Sequence, residues 1–136
     1  MGFHFVDGTY YSYSDHCKGL RIIPGRKLTF TFHEPCLPTH ETFRKYLNVV
    51  YMYASTISLA KELKKADEFA VGTVIIYPGS PGHCFIITDE AIDNGGEKIF
   101  KLVEGYSLAQ SIYVLSNLEE SSISPWYHLH KRTIRN

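Results

Sequence analysis

The sequence predicts an α+β fold in which one long helix packs on an antiparallel sheet of about four to six strands. Two patterns carry this. From Thr39, apolar residues recur at three- and four-residue steps: Phe43, Leu47, Val50, Ala54, Ile57. After the helix, short runs of β-formers alternate with turn signals, of which Asn94-Gly95 is the strongest.

Phe3 to Val6 reads as a short strand closed by the turn signal Asp7-Gly8. Residues 9–26, rich in Tyr and Ser and broken by Gly19 and Pro24-Gly25, read as loop or ragged hairpin. Leu28 to Phe32 alternates as a strand does, and Pro35 and Pro38 stop it. Thr39 is the expected N-cap of the helix, and Glu41 suits the dipole of its first turn. The helix is expected to run to about Leu63, with Tyr46, Tyr53 and Ala60 widening its apolar stripe. A meander follows: Thr73–Tyr77, a five-residue loop Pro78–Gly82, His83–Asp89, Ile99–Tyr106 and Ile112–Leu115.

The chain has 136 residues, enough for a single domain with one core. Fourteen Lys and Arg balance fourteen Asp and Glu, which argues against a nucleic-acid or membrane surface acting through bulk charge. The one basic cluster is the tail, Lys131, Arg132 and Arg135. Ten Tyr and eight Phe predict an aromatic-rich core or groove. No run is long and apolar enough to span a bilayer, and the first residues carry no signal-peptide pattern. Three scattered cysteines, Cys17, Cys36 and Cys84, make no disulfide framework, although one pair has the means to form.

His83 and Cys84 adjoin in sequence, but side chains alternate across a strand, so His83 shares a face with Phe85 and Ile87 while Cys84 faces the other way. Cys84 is therefore expected to be a core residue. A two-residue turn at Asn94-Gly95 sets His83 opposite Tyr106 and Phe85 opposite Glu104; centring the turn on Gly95-Gly96 keeps the faces the same. His83 and Glu104, framed by Tyr77 and Tyr106, then form the base and orienting carboxylate of a nucleophilic site, or a structural pair at a sheet end. A bulge of one residue would move them to opposite faces. Cys17, with Lys18 and Arg21 nearby, and Cys36, close before the helix start, are the candidate nucleophiles. His33, Cys36 and His40 have spacing a zinc site uses, but the second ligand pair that makes such motifs specific is missing, so no metal or other cofactor is expected. His128 and His130 read as surface residues. The loop Pro78–Gly82 has the glycines of a phosphate loop without its Lys or its helix.

Phe43–Leu47, Tyr53–Leu59, Pro81-Gly82-His83, Ala109-Gln110 and Ser124–Tyr127 together resemble the C-terminal half of a bacterial family catalogued as domain of unknown function 4846. Residues 3–21 are similar to that family's middle section. The resemblance covers nearly all of this chain and about half of a typical member. It implies a papain-like scaffold similar to the NlpC/P60 amidases, with a Cys at a helix N-terminus, a His on the following sheet and a polar residue on the next strand. His83 and Glu104 match the last two roles. Gly72-Thr73 stands where Gly-Asp is usual, and Glu104 where Gln is common. Family members carry a Cys-bearing helix before the section where Met1 begins, and they are usually exported or lipid-anchored, a location this N-terminus does not support.

Two functions follow as expectations. One is a thiol amidase or peptidase-like domain, active or degenerate, acting on peptide or cell-envelope amides through His83, Glu104 and Cys17. The other is a non-catalytic binding or structural module that uses an aromatic groove around Tyr77, Tyr106 and Gln110. The apolar surface of the helix over 40–63 adds an expectation of self-association.

Overall fold

The computed structural model describes residues 1–105 and 111–130. The fold is α+β with antiparallel sheets, and its contacts divide it into two compact units. The first comprises Met1–Lys64 and the loop Pro78–Gly82; the second comprises Lys65–Tyr77 and the chain from His83 onward.

The first unit opens with β1 (Gly2–His4) paired to β2 (Tyr10–Ser12), followed at once by a short helix α1 (Tyr13–Cys17). Ser12 caps that helix by accepting from the backbone N–H of Asp15. A second hairpin joins β3 (Leu20–Ile23) to β4 (Thr29–Phe32). Residues 9–26 thus hold a helix and two strands where the sequence suggests loop or ragged hairpin. The Ser12 cap and the alternation of Leu20 to Ile23 are too short to stand out by period.

The long helix is two helices, which corrects the single element expected over 39–63. Thr39 does cap α2 (His40–Tyr53), and Thr42 completes a reciprocal capping box. Ala54 then turns extended, and Ser55 caps a new helix, α3 (Thr56–Glu62), with Ser58 as its box partner. The apolar period of the sequence runs on across the break, with Ala54 still packed against the core; the interruption is written in the polar pair Ser55 and Ser58. Phe5, Tyr11, Tyr46 and Val50 form the buried core of this unit, with Phe43, Leu47 and Tyr53 packed around them. Among the apolar residues of α2, Tyr51 and Met52 are the exposed ones, at 74% and 70%. Among the described residues no helix is long and apolar enough to cross a membrane.

The second unit is one five-stranded sheet. Strands β5 (Val74–Tyr77), β6 (His83–Ile92) and β7 (Lys98–Glu104) form a meander, and β8 (Tyr113–Val114) and β9 (Trp126–Tyr127) share the far edge of β7. Its core is Ile75, Ile87, Phe100 and Leu102, with Phe69, Phe85, Leu115, Tyr127 and Leu129 around it. On the opposite face Lys101 lies over the Trp126 ring, 4.4 Å from its centroid, and reaches Asp89 at 3.2 Å. The single long helix that the resemblance to papain-like amidases implies is not found among the described residues, whose helices are α1, α2 and α3.

Candidate functional site

The sheet of the second unit fixes which residues gather around His83. The turn between β6 and β7 has three residues, Asn94, Gly95 and Gly96, closed by a bond from Asp93 N–H to Glu97 O at 2.9 Å. Gly96 sits at a φ of +85°, the left-handed conformation that a three-residue hairpin asks of its last position. A three-residue turn alone reverses the expected faces. A bulge at Thr88, between Ile87 and Asp89, then adds one more residue to β6 and restores them. Beyond the bulge Ile86 pairs with Val103 and Ile87 with Leu102, the register a two-residue turn would have given. Continued by one step, it sets Phe85 opposite Glu104. By alternation His83, Phe85 and Ile87 share a face with Leu102 and Glu104.

On that face Tyr77 pairs directly with His83. The His83 imidazole lies parallel to the Phe85 ring at 6.2 Å between centroids, and Tyr77 meets Phe85 edge-on at 5.9 Å. Glu104 is directly opposite Tyr113, whose hydroxyl donates to its Oε1. A partner of Glu104 on β8 was not expected from sequence, because β8 is two residues long and its pairing follows from the sheet as a whole. Tyr77 and Tyr113 are 39% and 40% exposed and His83 is exposed, so this end of the sheet is open to solvent. Tyr106 and Gln110 lie outside the described residues.

Cys84 is the cysteine of this unit. It pairs with Ile76 on the face opposite His83, is half-buried, and has its thiol pKa raised by burial. Cys17 and Cys36 belong to the first unit. The Arg21 guanidinium donates from Nη1 to the carbonyls of His16 at 2.5 Å and Leu20 at 2.8 Å, and its Nη2 reaches the sulfur of Cys36 at 3.7 Å. A cation beside that sulfur is poor company for a metal ion. Among the described residues no three His, Cys, Asp or Glu side chains converge as ligands.

Two histidines outside the sequence-based site have well-defined polar partners. His16 is buried in the first unit, with Nδ1 2.8 Å from the Tyr11 hydroxyl. That hydroxyl donates to the carbonyl of Leu20 at 2.8 Å, so it accepts from His16 Nδ1–H. Burial first, then the charges of Arg21 and Lys45, lower the His16 pKa. His128 follows β9, with Nδ1 3.0 Å from Glu120 and Nε2 3.1 Å from Asp93; Glu97 stands 3.9 Å away and His130 stacks on its ring. Both nitrogens face acceptors, an arrangement only the imidazolium satisfies, and the bonds to Glu120 and Asp93 raise its pKa. Asp93 and Glu97 lie on the Nε2 side and Glu120 on the Nδ1 side, an ion-pair clasp around one imidazolium ring. No spacing rule links residues 93, 120 and 128.

A family model described as Domain of unknown function (4846) matches residues 1–135 of the chain. No curated protein matches it, and no solved structure does.

Proposed function

For a chain that belongs to the family Domain of unknown function (4846), we propose a binding module that receives a peptide-like amide at the His83 end of the second unit's sheet and does not hydrolyse it. The observation that carries this reading is the arrangement on one face: exposed Tyr77, His83 and Tyr113 beside Phe85, with the Glu104 carboxylate held by Tyr113. Flat rings give apolar contact area at low entropic cost. The imidazole and the carboxylate give donors and acceptors suited to a backbone amide. The thiol of the same sheet, Cys84, is on the other face and is held protonated by burial, which supports binding over catalysis.

The experiment is an NMR titration of labelled protein with an N-acetylated tripeptide amide. Shift changes centred on Tyr77, His83, Phe85 and Glu104, weakened at least tenfold in affinity by His83→Ala, are the expected result. Changes confined to other parts of the chain, or none at millimolar peptide, would remove the reading.

The second reading is a thiol amidase of the NlpC/P60 kind. Its support is the sequence resemblance and the shared face of His83 and Glu104. Self-association through residues 40–63 would draw on exposed Tyr51 and Met52, and sedimentation tests it.

A further inference from the structure

Cys17 ends α1, and Cys36 lies in the extended segment that leads into α2. The two stretches are laced together by backbone bonds: His33 N–H to Gly19 O at 2.8 Å, and Cys36 N–H to Cys17 O at 2.9 Å. Gly19 makes the approach possible. Its φ is +96°, and a Cβ there would fall 2.1 Å from the carbonyl oxygen of His33.

The bond from Cys36 N–H to Cys17 O at 2.9 Å holds the two residues directly side by side, and a disulfide needs Cα atoms roughly 4.4–6.8 Å apart, a span that backbones in direct hydrogen-bond contact can meet. The sulfur of Cys36 is turned toward the same place, 3.8 Å from the carbonyl oxygen of His16, the residue bonded to Cys17. Both cysteines are free and partly exposed, so a small reagent reaches them. The pairing stands on this backbone geometry and is independent of what His83 does.

We propose that Cys17 and Cys36 form a redox-reactive dithiol that closes to an intrachain disulfide on meeting a low-molecular-weight disulfide of the glutathione class. One thiol loses its proton and its sulfur attacks the small disulfide, forming a mixed disulfide and expelling one small thiolate, which takes up a proton. The second cysteine, deprotonated in turn, attacks the protein sulfur of that mixed disulfide and expels the second small thiol. The two cysteines lose two electrons and two protons; the small disulfide gains them and becomes two thiols. The bond closes a loop that contains the β3–β4 hairpin and ties the end of α1 to the approach to α2. A loop of this size raises the folding equilibrium constant by about a hundredfold.

The test uses the full chain, incubated with oxidised glutathione, alkylated and digested. The expected result is a mass lower by two hydrogens, one alkylatable thiol at Cys84, a Cys17–Cys36 linked peptide, and a Tm above that of the reduced protein. In Cys36→Ser the reaction is expected to stop at a stable glutathione adduct on Cys17. Three thiols still open to alkylation, adducts that persist on wild type without a crosslink, or a crosslink through Cys84 would each overturn the pairing.

Discussion

In the first unit the most deeply buried side chains are Phe5, Tyr11 and Tyr46; in the second the corresponding residue is Ile87, backed by Ile75, Phe100 and Leu102. The difference is the hydroxyl groups. Two tyrosines at 0% exposure bring polar atoms into the first core, and each is answered: Tyr46 donates to the carbonyl of Tyr11 at 3.1 Å, and Tyr11 sits between His16 and Leu20. Burial pushes the Tyr46 pKa up to about 12, with smaller contributions from Tyr10, Tyr11, Asp15 and Glu62. The second core cluster is apolar, and the polar groups of that unit are bonded outside the cluster, at Asn117, which is itself buried, and at His128. A core with satisfied hydroxyls specifies one arrangement of its elements; an apolar core depends on shape and volume.

The largest expected effect sharpens that contrast least. Tyr46→Ala should cost about 3–5 kcal/mol and Ile87→Ala about 2–5 kcal/mol, both read by urea denaturation, because each removes a buried side chain outright. The discriminating pair is subtler. Tyr11→Phe keeps the ring but leaves the buried His16 Nδ1–H without its acceptor, so it should cost about 1–3 kcal/mol. Ile87→Val should cost about 0.5–1.5 kcal/mol. A Tyr11→Phe variant as stable as wild type would mean that the hydroxyl network contributes nothing to the first unit.

Acid and base should then separate the units in opposite directions. The His16 pKa is lowered from its ordinary value of 6.5, so the unfolded chain takes up the proton more readily. Its contribution is present above that value and turns unfavourable as pH falls below it. The His128 pKa is raised from 6.5, so its contribution is fully present below that value and is lost as pH rises through the folded-state pKa. Histidine ring signals followed by NMR should place His16 below 6.5 and His128 above it. The same direction for both would contradict the two environments.

The smallest effect concerns the carboxylates of the clasp. Glu120→Gln or Asp93→Asn should bring the His128 titration back toward 6.5 and loosen hydrogen exchange near β9, with little change in overall stability. A His128 pKa unmoved by both variants would show that other groups set it.

These networks also mark how far the sequence could be read. Thr39 as a cap, the apolar stripe of α2 and the strands on either side of Pro78–Gly82 are local patterns, and local patterns are legible. The break at Ser55 was legible too, since Ser55 and Ser58 are a capping box, but the apolar period running over it masked the signal. The face shared by His83 and Glu104 emerges from two departures, a longer turn and a bulge, that cancel, and neither has a distinct sequence mark. The partners of Glu104, His16 and His128 lie 5 to 35 residues away. Contacts at that range depend on the packed fold and leave no periodic trace.

The most direct test of the central claim, that the His83 face binds an amide without cleaving it, compares wild type with a variant in which Cys17, Cys36 and Cys84 are all Ser. Peptide affinity and peptide turnover are measured on both proteins under reducing conditions. Equal affinity in both, with no turnover above the uncatalysed rate in either, is the expected result. Turnover by wild type that disappears in the cysteine-free variant would contradict it and establish a thiol hydrolase.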